Sequence, residues 1–279
     1  MDRFGAAEGC KYLARMLVNL ERTCDNDAFA TSTPERYFCN LDITLCEALQ
    51  NPLLVCERTP LIWKAMKPLE EPQKLSKPMY CRLVLHYLEW LNAVDDFMAF
   101  DEIYKVRLTA AHVIPTMLFT MSFNTFKHDS ANLLLCNGFF FVEKKSYLEE
   151  YGIDVDKLVL ELQRTVVQKF RELNVCEEEY VLLKLVILFT NLNTSDEEIA
   201  DTMRRIRNKY VHLLVQFVKN SQKYPSEKPF DRLQALLQIV GPLISISEIV
   251  ELHAVQVVAL NLAEMRGQLT FDLHVRENL

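Results

Sequence analysis

Glycine is scarce in this chain, with six among 279 residues. All-β folds and phosphate-cradling loops need glycine wherever φ must be positive, so the reading tilts to helix. Clustered positive charge is missing as well: the formal net charge is −7, and Lys and Arg are scattered. A phosphate backbone is held mainly by clustered Lys and Arg, which argues against direct nucleic-acid binding. The eight cysteines contain no CxxC pair and no two lie closer than seven positions, which excludes the usual zinc-finger spacing. A chain this apolar has little need of disulfides, so reduced thiols are expected. The start, MDRFGAAEGCKYLARM, has no apolar signal-peptide stretch. No uninterrupted apolar run approaches the roughly 18 residues of a membrane span, and a soluble intracellular protein is expected.

The chain also lacks the motifs of common enzymes. There is no HExxH, GxSxG, Walker glycine loop or dinucleotide fingerprint. The His and Cys residues show no spacing suited to a metal or a Cys/His dyad, and Asp95-Asp96 and Glu149-Glu150 read as solvated helix ends. No catalytic residue, metal or cofactor is expected.

What the chain does have is helical periodicity. Tyr12, Leu13, Met16, Leu17 and Leu20 make one apolar stripe over 12–22. Residues 41–50 form a short helix stopped before Asn51-Pro52, because a residue preceding proline avoids the helical region. The proline-rich stretch 52–78 reads as a surface connector. A long helix follows over 79–97, then a more apolar one over 105–123, buried on every side and kinked at Pro115. Asn137-Gly138 between two apolar runs is a hairpin signal. Helices resume over 154–173, 177–189 and 196–220, the last capped by Thr194 or Ser195. A final long helix spans 229–266, bent at Gly241-Pro242 and ended by Gly267, before the tail LTFDLHVRENL. The expected organisation is an N-terminal helix and hinge-like segment over 1–40 and one domain over 41–279.

Glu178 to Phe189 reads EEYVLLKLVILF, which closely resembles the E-E-[FY]-x-x-L-K-x-[IV]-x-L-F stretch of nuclear hormone receptor ligand-binding domains. Glu179, Leu183, Lys184, Leu188 and Phe189 fall on its positions. EWLNAVDDF at 89–97, followed by Tyr104-Lys105-Val106, is similar to the family's signature region. Three departures stand there: Asn92 for Lys, Tyr104 for Asp and Thr109 for the second Leu. RRIRNKYVHLLVQFVK, Arg232 with LQALLQIVGPL, and CEALQNPLLVCERTPLIW resemble the nematode-type supplementary branch. The resemblance covers roughly 41–279.

That resemblance implies an all-α, three-layer helical sandwich with one short β-hairpin, acting as a ligand-regulated transcription factor module in the nucleus and cytoplasm. It implies an apolar cavity for a small lipophilic ligand, with Leu83, His86, Tyr87, Trp90, Phe119 and Phe123 as lining residues. His86 either orients the polar end of the ligand or is a core histidine satisfied by a neighbouring backbone carbonyl, and Phe139, Phe140 and Phe141 are able to fill the space. It also implies a groove that docks LxxLL-type coregulator peptides, with Asn92, Lys105 and Glu277 at its ends. Asn92 carries no charge, so weakened recruitment follows. His274 and Asn278 depart from the apolar residues expected around Glu277. The outer face of 230–262 is the expected surface for homo- or heterodimers, and the LxxLL string at Leu233–Leu237 is expected as core or dimer contact. The alternative is a ligand-independent helical scaffold for dimerisation and partner binding, with a filled core.

Overall fold

The computed structural model describes residues 3–25, 38–70, 72–142, 147–190, 194–221 and 228–275. Helix α1 (Arg3–Cys24) buries Ala14, Val18, Glu21 and Cys24, spaced three and four apart on one face, and leaves Tyr12 and Met16 of the expected stripe exposed. Helix α2 (Leu45–Gln50) opens on a capping box: Thr44 Oγ1 accepts the Glu47 N–H at 3.2 Å, and Thr44 N–H donates to Glu47 Oε2 at 2.8 Å. It stops at Asn51-Pro52. Strand β1 (Ile62–Pro68) is followed by α3 (Pro72–Asn92), the short α4 (Asp95–Met98) and α5 (Glu102–Lys127), which stays helical through Pro115. Strand β2 (Asn137–Phe140) precedes α6 (Val155–Leu162), which runs through one π-turn into α7 (Gln168–Leu173). Then come α8 (Glu177–Leu188), α9 (Glu197–Asn220), α10 (Pro229–Leu237), α11 (Val240–Ala259) and α12 (Gln268–Thr270). A π-turn over Phe271–Val275 continues α12.

The helices form a sandwich in which α1 and α3 lie on one side of α5 and α8, while α6, α7, α10 and α11 lie on the other. Every residue of α8 from Glu179 to Leu188 is buried, and its charged ones are paired. Arg232 of α10 holds Glu179 through Nε to Oε1 at 2.7 Å, and Lys184 Nζ reaches Glu21 Oε1 of α1 at 2.7 Å. Helix α1 thus contributes a carboxylate to the buried core.

Four local expectations change. The stretch 52–78 is more than a connector: it contains β1 and the first turns of α3, whose leading Pro72 lacks only an N–H that would have no partner there. The Asn137-Gly138 turn forms, with Leu135 N–H donating to Phe139 O and Phe141 N–H to Leu133 O, both at 2.9 Å. Its second arm, β2, joins the two-stranded sheet by pairing parallel with β1. The cap of α9 is Asp196, whose carboxylate accepts the N–H groups of Glu198 and Ile199 at 3.1 and 3.3 Å. The last long helix breaks at 238–239 and ends at Ala259, because Asn261 turns into the left-handed region at φ 55°.

Candidate functional site

The six residues expected to line a ligand cavity are all buried, and they lie where α1, α3, α5 and α8 meet. Phe123 stacks on Tyr180 at a centroid distance of 3.9 Å, and Phe119 meets Tyr180 and Phe170, each at 5.3 Å. Tyr87 stacks on Trp90, whose other neighbour is the Lys184 ammonium, 4.3 Å from the ring centroid. Tyr180 donates to Glu21 Oε1 at 2.9 Å, so two side chains of α8 grip the same carboxylate. His86 Nε2 lies 2.9 Å from Asp25 Oδ1. Burial pushes the Asp25 carboxyl up, but His86 and Lys184 outweigh it and hold the group below its ordinary value. Leu83 is buried on the same helix. The signature residues Glu179, Leu183, Lys184 and Phe189 are all buried.

The open space is elsewhere. A cavity of about 520 Å³ lies between α3, α5, α6, α11 and the segment after α11, within the range of ligand pockets, roughly 300–1,000 Å³. Ile114, Leu118 and Met121 face it from α5, Leu158 and Val159 from α6, and Ile246 and Val250 from α11. None of the six expected residues lines it. Both faces of α5 are apolar, so periodicity does not distinguish the face that packs on α8 from the face that meets the cavity. Phe141 lines the space without filling it, while Phe139 lies under the Lys67 ammonium. Polar groups are few: Tyr80, His253 and His274 are among them, and His253 Nδ1 is buried with no hydrogen-bond partner.

The C-terminal segment forms one wall of the cavity through Ala263, Met265 and His274. Its docking is specific. Leu269 N–H donates to Leu41 O at 2.9 Å, and the buried Asp272 carboxylate accepts the Leu45 N–H at 3.0 Å, capping the first turn of α2 from 227 residues away. Gly267 passes so close to Leu41 that a Cβ there would lie 2.4 Å from the Leu41 Cβ. His274, which departs from the expected apolar pattern, is buried and held at both nitrogens, by Tyr80 Oη at 2.7 Å and Glu251 Oε1 at 2.8 Å. Burial keeps the Tyr80 hydroxyl well above its ordinary value, so it stays protonated beside Nε2. Ahead of the docked segment, Ala263 and Glu264 hold φ of 51° and 58°, a left-handed backbone that costs non-glycine residues about 1–2 kcal/mol each.

Of the expected groove residues, Asn92 donates its side-chain amide to Leu49 O at 2.8 Å and so caps α2. Lys105 is half-buried at the start of α5. Glu277 and Asn278 lie outside the described residues. In the Leu233–Leu237 string, Leu236 is fully buried and the flanking leucines pack on the core. Among the described residues, Pro229–Ala259 is long and apolar enough to cross a membrane by length and composition, although 28 % of its apolar window is buried within the fold. The sequence shows no uninterrupted apolar run there because Ser245, Ser247, Glu248 and Glu251 break it. The outward face of these two helices exposes Phe230, Ile249 and Leu252.

Sequence reading also missed the cavity residues Tyr80, Ile246, Val250 and His253. The signal available was the apolar character of α11 around more of its circumference than a surface helix needs.

A family profile described as the ligand-binding domain of nuclear hormone receptor matches residues 66–253. The chain is 22 % identical over 255 residues to nuclear hormone receptor family member nhr-100 of Caenorhabditis elegans, an alignment covering 87 % of this chain and 56 % of that protein. The chain thus spans about half the length of the curated relative it matches.

Proposed function

Because the chain belongs to the nuclear hormone receptor ligand-binding domain family, as a divergent nematode-type member, we propose that its cavity holds a small lipophilic ligand that sets the placement of residues 268–275. The observation that carries this reading is the shared wall: the residues that dock the C-terminal segment, Tyr80 and His274, also line the cavity. A ligand shifts a conformational equilibrium only by its different affinity for the two states. Here a bound molecule touches Ala263, Met265 and His274 only while the segment is docked, so docking and binding support each other. The output is transcriptional regulation in the nucleus, with LxxLL-type coregulators docking beside the C-terminal segment. Coregulator affinity is weak, because Asn92 is neutral and its amide is already engaged.

An open cavity argues against the filled-core scaffold. Dimerisation is compatible with either reading, and exposed Phe230, Ile249 and Leu252 on α10 and α11 support a pairing face there. Denaturing extraction of the purified chain followed by mass spectrometry tests the ligand reading. A stoichiometric lipid-sized molecule is expected. Its absence, with no thermal stabilisation by any member of a lipid panel, overturns the proposal.

A further inference from the structure

Among the described residues that line the large cavity, the polar side chains are Glu70, Ser76, Tyr80, His253 and His274, and no Lys or Arg is with them. The remaining lining is aliphatic, phenylalanine and methionine. Glu70 is exposed to solvent, while Tyr80 and His274 are already engaged with each other at 2.7 Å and His274 with Glu251 at 2.8 Å. His253 differs from these. It borders the cavity from α11, half-buried, and its Nδ1 is buried with no hydrogen-bond partner. A buried polar atom left unpaired loses its bond to water and gains nothing for it, so a group that pairs with it binds the more tightly.

Such a lining discriminates among lipid head groups. An ionised carboxylate or phosphate carried into it meets no Lys or Arg among the described residues to replace its water, and Glu70 repels it. A carboxylic acid avoids that only by entering protonated, which costs a factor of about ten in affinity for each pH unit above its ordinary value of about 4.3. A protonated amine has Glu70 to pair with, but an ion pair exposed to solvent contributes little and does not offset the burial of a charge. A hydroxyl carries no charge. It both donates and accepts, so it satisfies Nδ1 whichever tautomer the ring adopts, whereas a carbonyl serves only a ring with its proton on Nδ1.

Building on the ligand reading above, we propose that the cavity selects an uncharged lipid bearing a hydroxyl group, which His253 receives at Nδ1. The hydrocarbon part lies along Ile114, Leu118, Leu158 and Val159. Selection against ionised lipids comes from the lack of a cation in the lining, and orientation comes from His253.

The test uses the full chain stripped of co-purifying lipid, at about pH 7.5, where carboxylic acids are ionised and amines protonated. Three probes share one hydrocarbon chain: dodecanol, dodecanoic acid and dodecylamine. Dodecanol should raise the unfolding temperature at concentrations where the other two do not, and its Kd should be lower by at least about tenfold. His253→Leu should weaken dodecanol about two- to tenfold, while His253→Gln, which keeps a donor and an acceptor, should retain more of the affinity. The proposal is overturned, with the ligand reading intact, if the acid or the amine binds as tightly as the alcohol, or if a folded His253→Leu chain binds dodecanol unchanged. A co-purifying lipid with an ionised head group also overturns it. If none of the three probes binds and no lipid co-purifies, the ligand reading itself fails and takes this proposal with it. The three probes are compared on the unaltered chain, so head-group selection is decided even where a variant does not fold.

Discussion

On the α8 side of α5, Phe119 and Phe123 meet Tyr180 and Phe170 ring to ring and Lys184 closes on Glu21, whereas on the α11 side Ile114, Leu118 and Met121 face a space of about 520 Å³. One helix thus serves two kinds of interior. The closed side joins α1 to the rest of the chain through aromatic contacts and paired buried charge, and stability is concentrated there. The open side forgoes those contacts, and its walls are completed by a segment that buries Leu269 and Leu273 and is held by hydrogen bonds to Leu41, Leu45, Tyr80 and Glu251. A region that loses contact atoms in this way is where a ligand gains them.

The contrast is broken most directly by Lys184→Met. Glu21 would be left buried without its cation, and urea unfolding should show a loss of about 3–5 kcal/mol. A loss below 1 kcal/mol would mean that the closed side does not carry the fold. Next, Phe119→Ala should cost about 3–5 kcal/mol, while Met121→Ala, whose side chain already borders empty space, should cost about 2 kcal/mol in the same assay. Equal losses would erase the distinction between the two faces of α5. The pH dependence of stability reports on His112, whose ring nitrogens face the carbonyls of Thr190 and Leu108 at 2.6 and 3.1 Å. Burial holds this imidazole below its ordinary value, so the unfolded chain takes up the proton first. Stability should be fully present above pH about 6.5 and decline as pH falls below it, and His112→Gln should flatten that slope. The smallest effect is expected for Tyr80→Phe, at about 0.5–1.5 kcal/mol, with deuterium exchange accelerated in 268–275 and unchanged in α8.

On the closed side helix α8 was legible in the sequence, whereas the residues that pack on it from α3 and α5 read as cavity lining. EEYVLLKLVILF shows acids at a helix start followed by an unbroken apolar run, and a helix buried on all sides needs that pattern. Asn137-Gly138 announced its turn through the positive φ that Gly138 adopts at 81°. The cavity was not legible in its residues. Its place depends on which apolar faces of α3, α5 and α11 fail to meet, and each face looks the same in one dimension. The strand β1 was hidden by the prolines around it. The docking of the tail was hidden differently: Asp272 and His274 read as polar interruptions until α2, Tyr80 and Glu251 supplied their partners.

The central claim is that the cavity on the open side is the ligand site, and native mass spectrometry of two variants against the unaltered chain tests it most directly. The account predicts a lipid-mass adduct on the unaltered chain and on Phe119→Ala, and its loss when Val159 and Val250 are both changed to Trp with the fold intact. An adduct that persists in the double Trp variant, or that disappears with Phe119→Ala alone, would contradict it.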